Sequence, residues 1–228
     1  LHDLVDNHKV IQYTRPRTTA FNGKNLDVWE ALAFTDSGCG EHLSPNCDSV
    51  MLLYLNEPRL AGLRNNGTSH PNFWDREHVW PKSYGFPEDR KAAYTDLHHL
   101  RPADREINAA KSDLVFGVGG KPVKDTDGAG LTRLTGAKTD STRGTFEPTD
   151  VSKGQVARMI FYMAVRYGTE DIGGYEKMTL DLDVVPGKGN KSSGQIGDLC
   201  VLLNWNSAFP PSLYEKQRND RIPVSYTH

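Results

Sequence analysis

The chain is poor in cysteine, nearly empty of net charge and without a long apolar run, and each shortage narrows what it can be. Three cysteines in 228 residues allow at most one local bridge besides a lone thiol. Cys39 and Cys47 bracket a short, turn-rich loop. A disulfide there is sterically easy and would place the chain in an oxidising compartment. The rival reading is two free thiols, and the spacing favours the bridge. Cys200, inside the run Leu199–Leu203, is expected to be a buried free thiol. The formal net charge is −2, which excludes a polybasic tail or a membrane-surface protein and argues weakly against a chain built chiefly to hold nucleic acid. The longest apolar run is Met159–Val165, far short of the ~20 residues needed to cross a bilayer. No charged and apolar leader opens the sequence, so a secretory signal is expected to have been removed. Internal repeats and linker-like composition breaks are also lacking.

What is present fits a soluble globular protein: 37% hydrophobic residues, 25% charged residues and a mean hydropathy of −0.59. The length favours one domain spanning residues 1–228. Apolar spacing predicts helices over 1–12 and 25–34, the second capped by Asn25. Ser49–Leu55 reads as a buried strand, 76–103 as short strands and Asp104–Asp113 as a helix. Residues 117–148, rich in Gly and Thr, read as a long loop with room for a hairpin and as the most mobile stretch. A helix runs from Asp150 to Gly168, and two more follow near 196–206 and from Ser212. The expected fold class is α+β, with more helix than strand.

Histidine is concentrated where chemistry is expected. Four of the eight histidines, His70, His78, His98 and His99, fall within residues 70–99. Three clusters follow in order. In Asp75-Arg-Glu-His-Val-Trp-Pro81, an extended backbone turns Glu77 and His78 to opposite faces, so one can ligate a cation while the other acts as a base. An exposed Glu beside a core His explains those two residues equally well. In Tyr94–Ala103, a strand would put Asp96, His98 and Leu100 on one face and Leu97, His99 and Arg101 on the other. A zinc site of Asp96, His98 and His99 is a weaker rival, because no thiol pair lies nearby and HExxH spacing is absent. In Asp104–Ser112, Asn108 sits within a helix and can offer its amide oxygen to a hard cation, although a solvent-facing Asn is the commoner case. A hard cation beside an imidazole base suits phosphodiester hydrolysis.

The stretch DREHVWPKSYGF … AYTDLHHLRPADREINAAKS strongly resembles the bacterial endonuclease I family of secreted or periplasmic non-specific nucleases, which carry a ββα-metal (His-Me) finger. LHDLVDNHKVIQYT, VWEALAFTD, MLLYLNE and LLNWN … YEKQRNDRI are similar to the same family, in its extracellular-ribonuclease-like branch, so the likeness covers most of the chain. The resemblance implies a single α+β domain with the finger at about 74–113 and a helix-rich periphery. It implies His78 as general base and Glu77 and Asn108 as ligands of Mg²⁺, for which Mn²⁺ or Ca²⁺ can substitute. It implies cleavage of DNA and RNA to 5′-phosphate and 3′-hydroxyl ends by a secreted or periplasmic monomer.

Arg101 is expected to supply charge at the scissile phosphate. Arg76 and Arg218 are candidate nucleic-acid contacts. Trp80 is a candidate base-stacking residue, although a core tryptophan is at least as good a reading. His99 stands where some relatives carry Asn, which favours an orienting role beside the substrate. The rivals are a catalytically silent or zinc-stabilised nucleic-acid-binding module on the same scaffold and a phosphodiesterase for small substrates. Residues 76–111 hold seven Lys and Arg against six Asp and Glu, so the near-neutral charge predicts modest, salt-sensitive binding that depends on the bound cation.

Overall fold

The computed structural model describes residues 10–16, 26–38, 47–168 and 182–227. The helix expected over 1–12 falls mostly outside them, as do Cys39 and Asn25. The first described helix, α1 (Val28–Thr35), is capped by Asp27. Its carboxylate accepts from Trp29 and Glu30, and the Glu30 side chain accepts from the Asp27 N–H, giving a reciprocal capping box.

Ser49–Leu55 is strand only over β1 (Ser49–Met51), which pairs antiparallel with β2 (Pro58–Leu60). The chain then turns, while Leu52, Leu53 and Tyr54 stay buried.

The central unit is β3 (Trp74–His78) paired antiparallel with β4 (Leu100–Asp104), followed at once by α2 (Arg105–Lys111). Asp104 ends the strand and caps the helix, its carboxylate accepting from the Glu106 and Ile107 N–H groups. Trp74, Ala103 and Ile107, all fully buried, fix this unit to the core. Residues 97–99 form a turn and not a strand, so the alternating faces expected for 96–99 do not exist. The His99 and Leu100 N–H groups instead bond to the Asp96 carbonyl.

Residues 117–148 are not a loop. β5 (Val115–Phe116), β6 (Lys121–Thr126), β7 (Thr132–Asp140) and β8 (Thr145–Glu147) form a sheet in the order β5-β8-β7-β6. The glycine content reflects the turns: Gly120 has φ +115°, and a Cβ there would meet the Thr139 carbonyl oxygen at 2.4 Å.

α3 (Asp150–Tyr167) runs through the larger apolar cluster and packs against α4 (Leu199–Ala208). β9 (Asp183–Val184), β10 (Gly189–Asn190) and β11 (Gln195–Ile196) make a small three-stranded sheet between them in sequence. α5 (Leu213–Thr227) packs on α1. The architecture is α+β. Among the described residues, no helix is long and apolar enough to cross a membrane. Cys200, expected to be buried, is an exposed free thiol in the first turn of α4, because that turn faces outward ahead of buried Leu202.

Candidate functional site

β3 divides its last two side chains, Glu77 and His78, between two environments, as strand alternation requires. Glu77 is 3% exposed. The Tyr54 hydroxyl donates to its Oε1 at 2.8 Å, and the Lys111 ammonium stands 3.2 Å from the same oxygen. Among the described residues Oε2 makes no hydrogen bond. Lys111 is itself fully buried, with Nζ 3.4 Å from the His78 carbonyl oxygen. Burial outweighs the pairing on both partners. It holds the Glu77 carboxyl above its ordinary value and the Lys111 ammonium below its own. The carboxylate is therefore under-compensated, and its free oxygen is an attractive place for further positive charge.

Asn108 lies on α2 three residues before Lys111 and is half-buried. Residues three apart on a helix share a face. Asn108 is thus on the side of α2 that sends Lys111 to Glu77. One carboxylate oxygen and one amide oxygen are hard donors, of the kind a hard divalent cation takes.

His78, on the other face, is 8% exposed. Its Nε2 lies 2.8 Å from the Tyr94 carbonyl oxygen. A carbonyl only accepts, so Nε2 carries the proton and Nδ1 presents the lone pair. Burial first, then the neighbouring His99 charge, pushes the imidazole well below its ordinary value, with Lys82 and Arg76 adding to the effect. It is neutral at pH 7. Tyr13 stacks on it at 5.6 Å, and the Tyr94 ring meets it edge-on at 4.6 Å. Arg76 in turn holds Tyr13. Its guanidinium lies 3.4 Å from the Tyr13 ring centroid and 4.1 Å from that of Trp29, and it donates to the Tyr13 carbonyl and the Thr14 hydroxyl.

Of the remaining expected residues, several lie inside the protein. Trp80 is fully buried and donates through Nε1 to the Tyr84 carbonyl at 2.9 Å. It is a core residue that pins the turn after β3, with no face open for stacking. His99 is fully buried, with Nε2–H donating to Ala93 O at 2.7 Å, and burial takes its pKa down to about 4. Its Nδ1 is buried without a hydrogen-bond partner.

Arg101 and Arg218 meet at Asp36. Arg101 is 1% exposed and donates to Asp36 at 2.8 Å, to Gln155 at 2.8 Å and to the Tyr214 hydroxyl at 3.3 Å. Arg218 donates to both Asp36 oxygens and to the Leu97 and Leu100 carbonyls. Burial alone would push the Asp36 carboxyl up, but the two guanidinium charges outweigh it and hold the carboxyl below its ordinary value. Neither arginine is brought to Nδ1 of His78.

Asp96 and His98 are joined at 3.1 Å, while the Tyr162 and Tyr167 hydroxyls donate to the other Asp96 oxygen. With His99 turned to Ala93, these three do not assemble a zinc site. Among the described residues, no three His, Cys, Asp or Glu side chains gather as a metal cluster.

Sequence reasoning missed Tyr54, Lys111, Tyr13 and Tyr94. Lys111 could have been found from its spacing to Asn108. The Tyr94 contact is made by backbone and leaves no mark on the side-chain pattern.

The Endonuclease I family profile matches residues 1–227. The extracellular ribonuclease of Bacillus subtilis (strain 168) is 36% identical over 228 residues, all of this chain and 67% of that protein. The extracellular ribonuclease of Bacillus amyloliquefaciens is 37% identical over the same span, 66% of its length. The chain thus spans about two thirds of each relative.

Proposed function

The chain belongs to the endonuclease I family and is a nuclease, and from that premise we propose a metal-dependent, sequence-indifferent endonuclease that hydrolyses DNA and RNA to 5′-phosphate and 3′-hydroxyl ends. The observation that carries this reading is the orientation of His78. The Tyr94 carbonyl accepts a hydrogen bond from Nε2–H and leaves Nδ1 as a base, one residue from a buried carboxylate with an uncommitted oxygen. β3, β4 and α2 are read as the ββα-metal finger, and residues 1–228 as one domain, since the two larger apolar clusters share Tyr13 and Leu55.

Glu77 through Oε2 and Asn108 through its amide oxygen would hold Mg²⁺, with Mn²⁺ or Ca²⁺ able to replace it. When bound, the cation would supply positive charge to offset the negative charge that builds on the phosphate during cleavage. Nδ1 of His78 removes a proton from the attacking water as the new P–O bond forms and the P–O3′ bond breaks; the 3′-oxygen leaves and is protonated from solvent. Tyr94 keeps the imidazole in the base tautomer, while Tyr13, braced by Arg76, restricts the ring plane. Lys111 and Tyr54 hold one Glu77 oxygen in place. Arg101 and Arg218 act at a distance by fixing β4 through Asp36. His99 is assigned to packing behind His78, at 5.6 Å between ring centroids. The relatives, both extracellular ribonucleases, favour an extracellular site of action.

Plasmid and RNA digestion over a panel of Mg²⁺, Mn²⁺, Ca²⁺ and Zn²⁺ tests the proposal. Cleavage in Mg²⁺ is expected to stop with EDTA and in His78→Ala. A folded wild-type protein that cuts neither polymer with any of the four ions would sink it.

A further inference from the structure

Beyond the base and the cation ligands, a polymer-cutting site needs a grip on the strand beside the scissile bond. Lys82 is placed to provide one. It follows β3 directly, in a turn fixed by three bonds: Tyr84 N–H to Pro81 O at 2.8 Å, Phe86 N–H to Lys82 O at 3.1 Å and Trp80 Nε1–H to Tyr84 O at 2.9 Å. Its side chain is anchored as well. Nζ donates to the Tyr94 hydroxyl at 2.8 Å and lies 5.0 Å from the Tyr94 ring centroid. A surface lysine is ordinarily a mobile, fully hydrated charge. This one is exposed yet held, and two of its three N–H donors remain for a ligand. Among the described residues it pairs with no carboxylate. Tyr94 is the ring that also meets His78 at 4.6 Å. The ammonium and the imidazole therefore flank one aromatic ring, within about three phosphate steps at roughly 3.4 Å of axis per phosphate on a strand.

Tyr94 also borders a cleft of about 480 Å³, walled on the other side by Pro87–Arg90. That wall offers little to a polyanion. Arg90 is paired with Glu88 at 2.6 Å, and Asp89 lies between them in sequence. Lys82 is a cation bonded to this ring's hydroxyl and, among the described residues, paired with no carboxylate. We propose that Lys82, held by the Tyr94 hydroxyl, binds a backbone phosphate of the nucleic acid next to the scissile one. The inference rests on the nuclease reading and adds the strand's path, along the Lys82 side of Tyr94 and away from the Glu88–Asp89 side.

Binding of a fluorescent single-stranded oligonucleotide is measured over a NaCl series with Ca²⁺ present, in a His78→Ala background that prevents cutting. Lys82→Met is expected to lower the slope of log K against log[salt] by about 0.7, the loss of one phosphate contact, with an unchanged melting temperature. Lys82→Arg should restore it. Lys216→Met, which removes an exposed lysine on α5, should leave it alone. An unchanged slope in folded Lys82→Met, or an equal fall in Lys216→Met, would overturn the assignment. Failure of the wild-type protein to cut any nucleic acid would instead overturn the nuclease reading on which it stands.

Discussion

The Tyr94 carbonyl oxygen lies 2.8 Å from Nε2 of His78, and this single backbone contact decides which imidazole nitrogen can act as a base. Removing the ring should therefore cost the reaction and spare the fold. His78→Ala is expected to lose about 10²–10⁴-fold in kcat, with an unchanged far-UV circular dichroism spectrum.

The same group sets a pH limit. As the proposed base it acts in its neutral form, and burial, then the Coulombic effect of His99, hold its pKa well below the usual imidazole value of 6.5. The base stays competent as pH falls through 6.5 and is lost only below. The acidic limb of kcat/KM should accordingly lie under pH 6.5; a limb at or above that value would contradict the assignment.

Lys111→Met leaves the Glu77 carboxylate buried beside Tyr54 without its ammonium. Stripping one partner from a buried pair costs about 3–5 kcal/mol. Urea unfolding in EDTA should show a loss of that size, and millimolar Mg²⁺ should recover part of it by supplying the missing charge. Equal stability of variant and wild type in EDTA would show that the pair contributes nothing.

Arg101→Met separates two roles. A phosphate contact would lower the salt slope of binding, whereas a buried tie to Asp36 would lower stability. The expected result is a loss of about 3–5 kcal/mol in urea unfolding with the salt slope unchanged.

Glu147 gives a stability prediction away from the site. Burial alone would raise its pKa, but bonds from Lys153, the Gly119 N–H and Lys138 together bring it down to about 2 from 4.5. A depressed carboxyl stabilises the fold fully above its unfolded value, and that contribution fades as pH falls from about 4.5 towards 2. Glu147→Gln should lower stability at pH 7 and flatten its decline across that window in denaturant titrations.

Much of the centre was legible because it obeys local rules. The alternation of Glu77 and His78 follows from strand geometry, and the Asp104-capped helix bearing Asn108 follows from its capping residue and composition. The sheet over 115–147 was not legible, because its strands carry few apolar residues and form through pairing; within β6 and β7, Val123 and Ala137 are the buried hydrophobic side chains. Arg101 and Arg218 misled for a different reason. A guanidinium suits a phosphate and a carboxylate equally well, and their carboxylate, Asp36, lies 65 and 182 residues away in sequence. Trp80 was open between stacking and core packing, and the core reading holds; its Tyr84 carbonyl partner is set by a turn.

The Asp36 network also constrains the order in which the protein can be completed. Asp36 precedes Arg101 by 65 residues and Arg218 by 182, so it leaves a ribosome well before either partner. Until Arg218 arrives, the Leu97 and Leu100 carbonyls and one side of the carboxylate have no cation to meet them. The strand that faces Glu77 and His78 can thus form early but is not locked until the helix bearing Arg218 docks, which makes final closure of the candidate site a long-range event in folding.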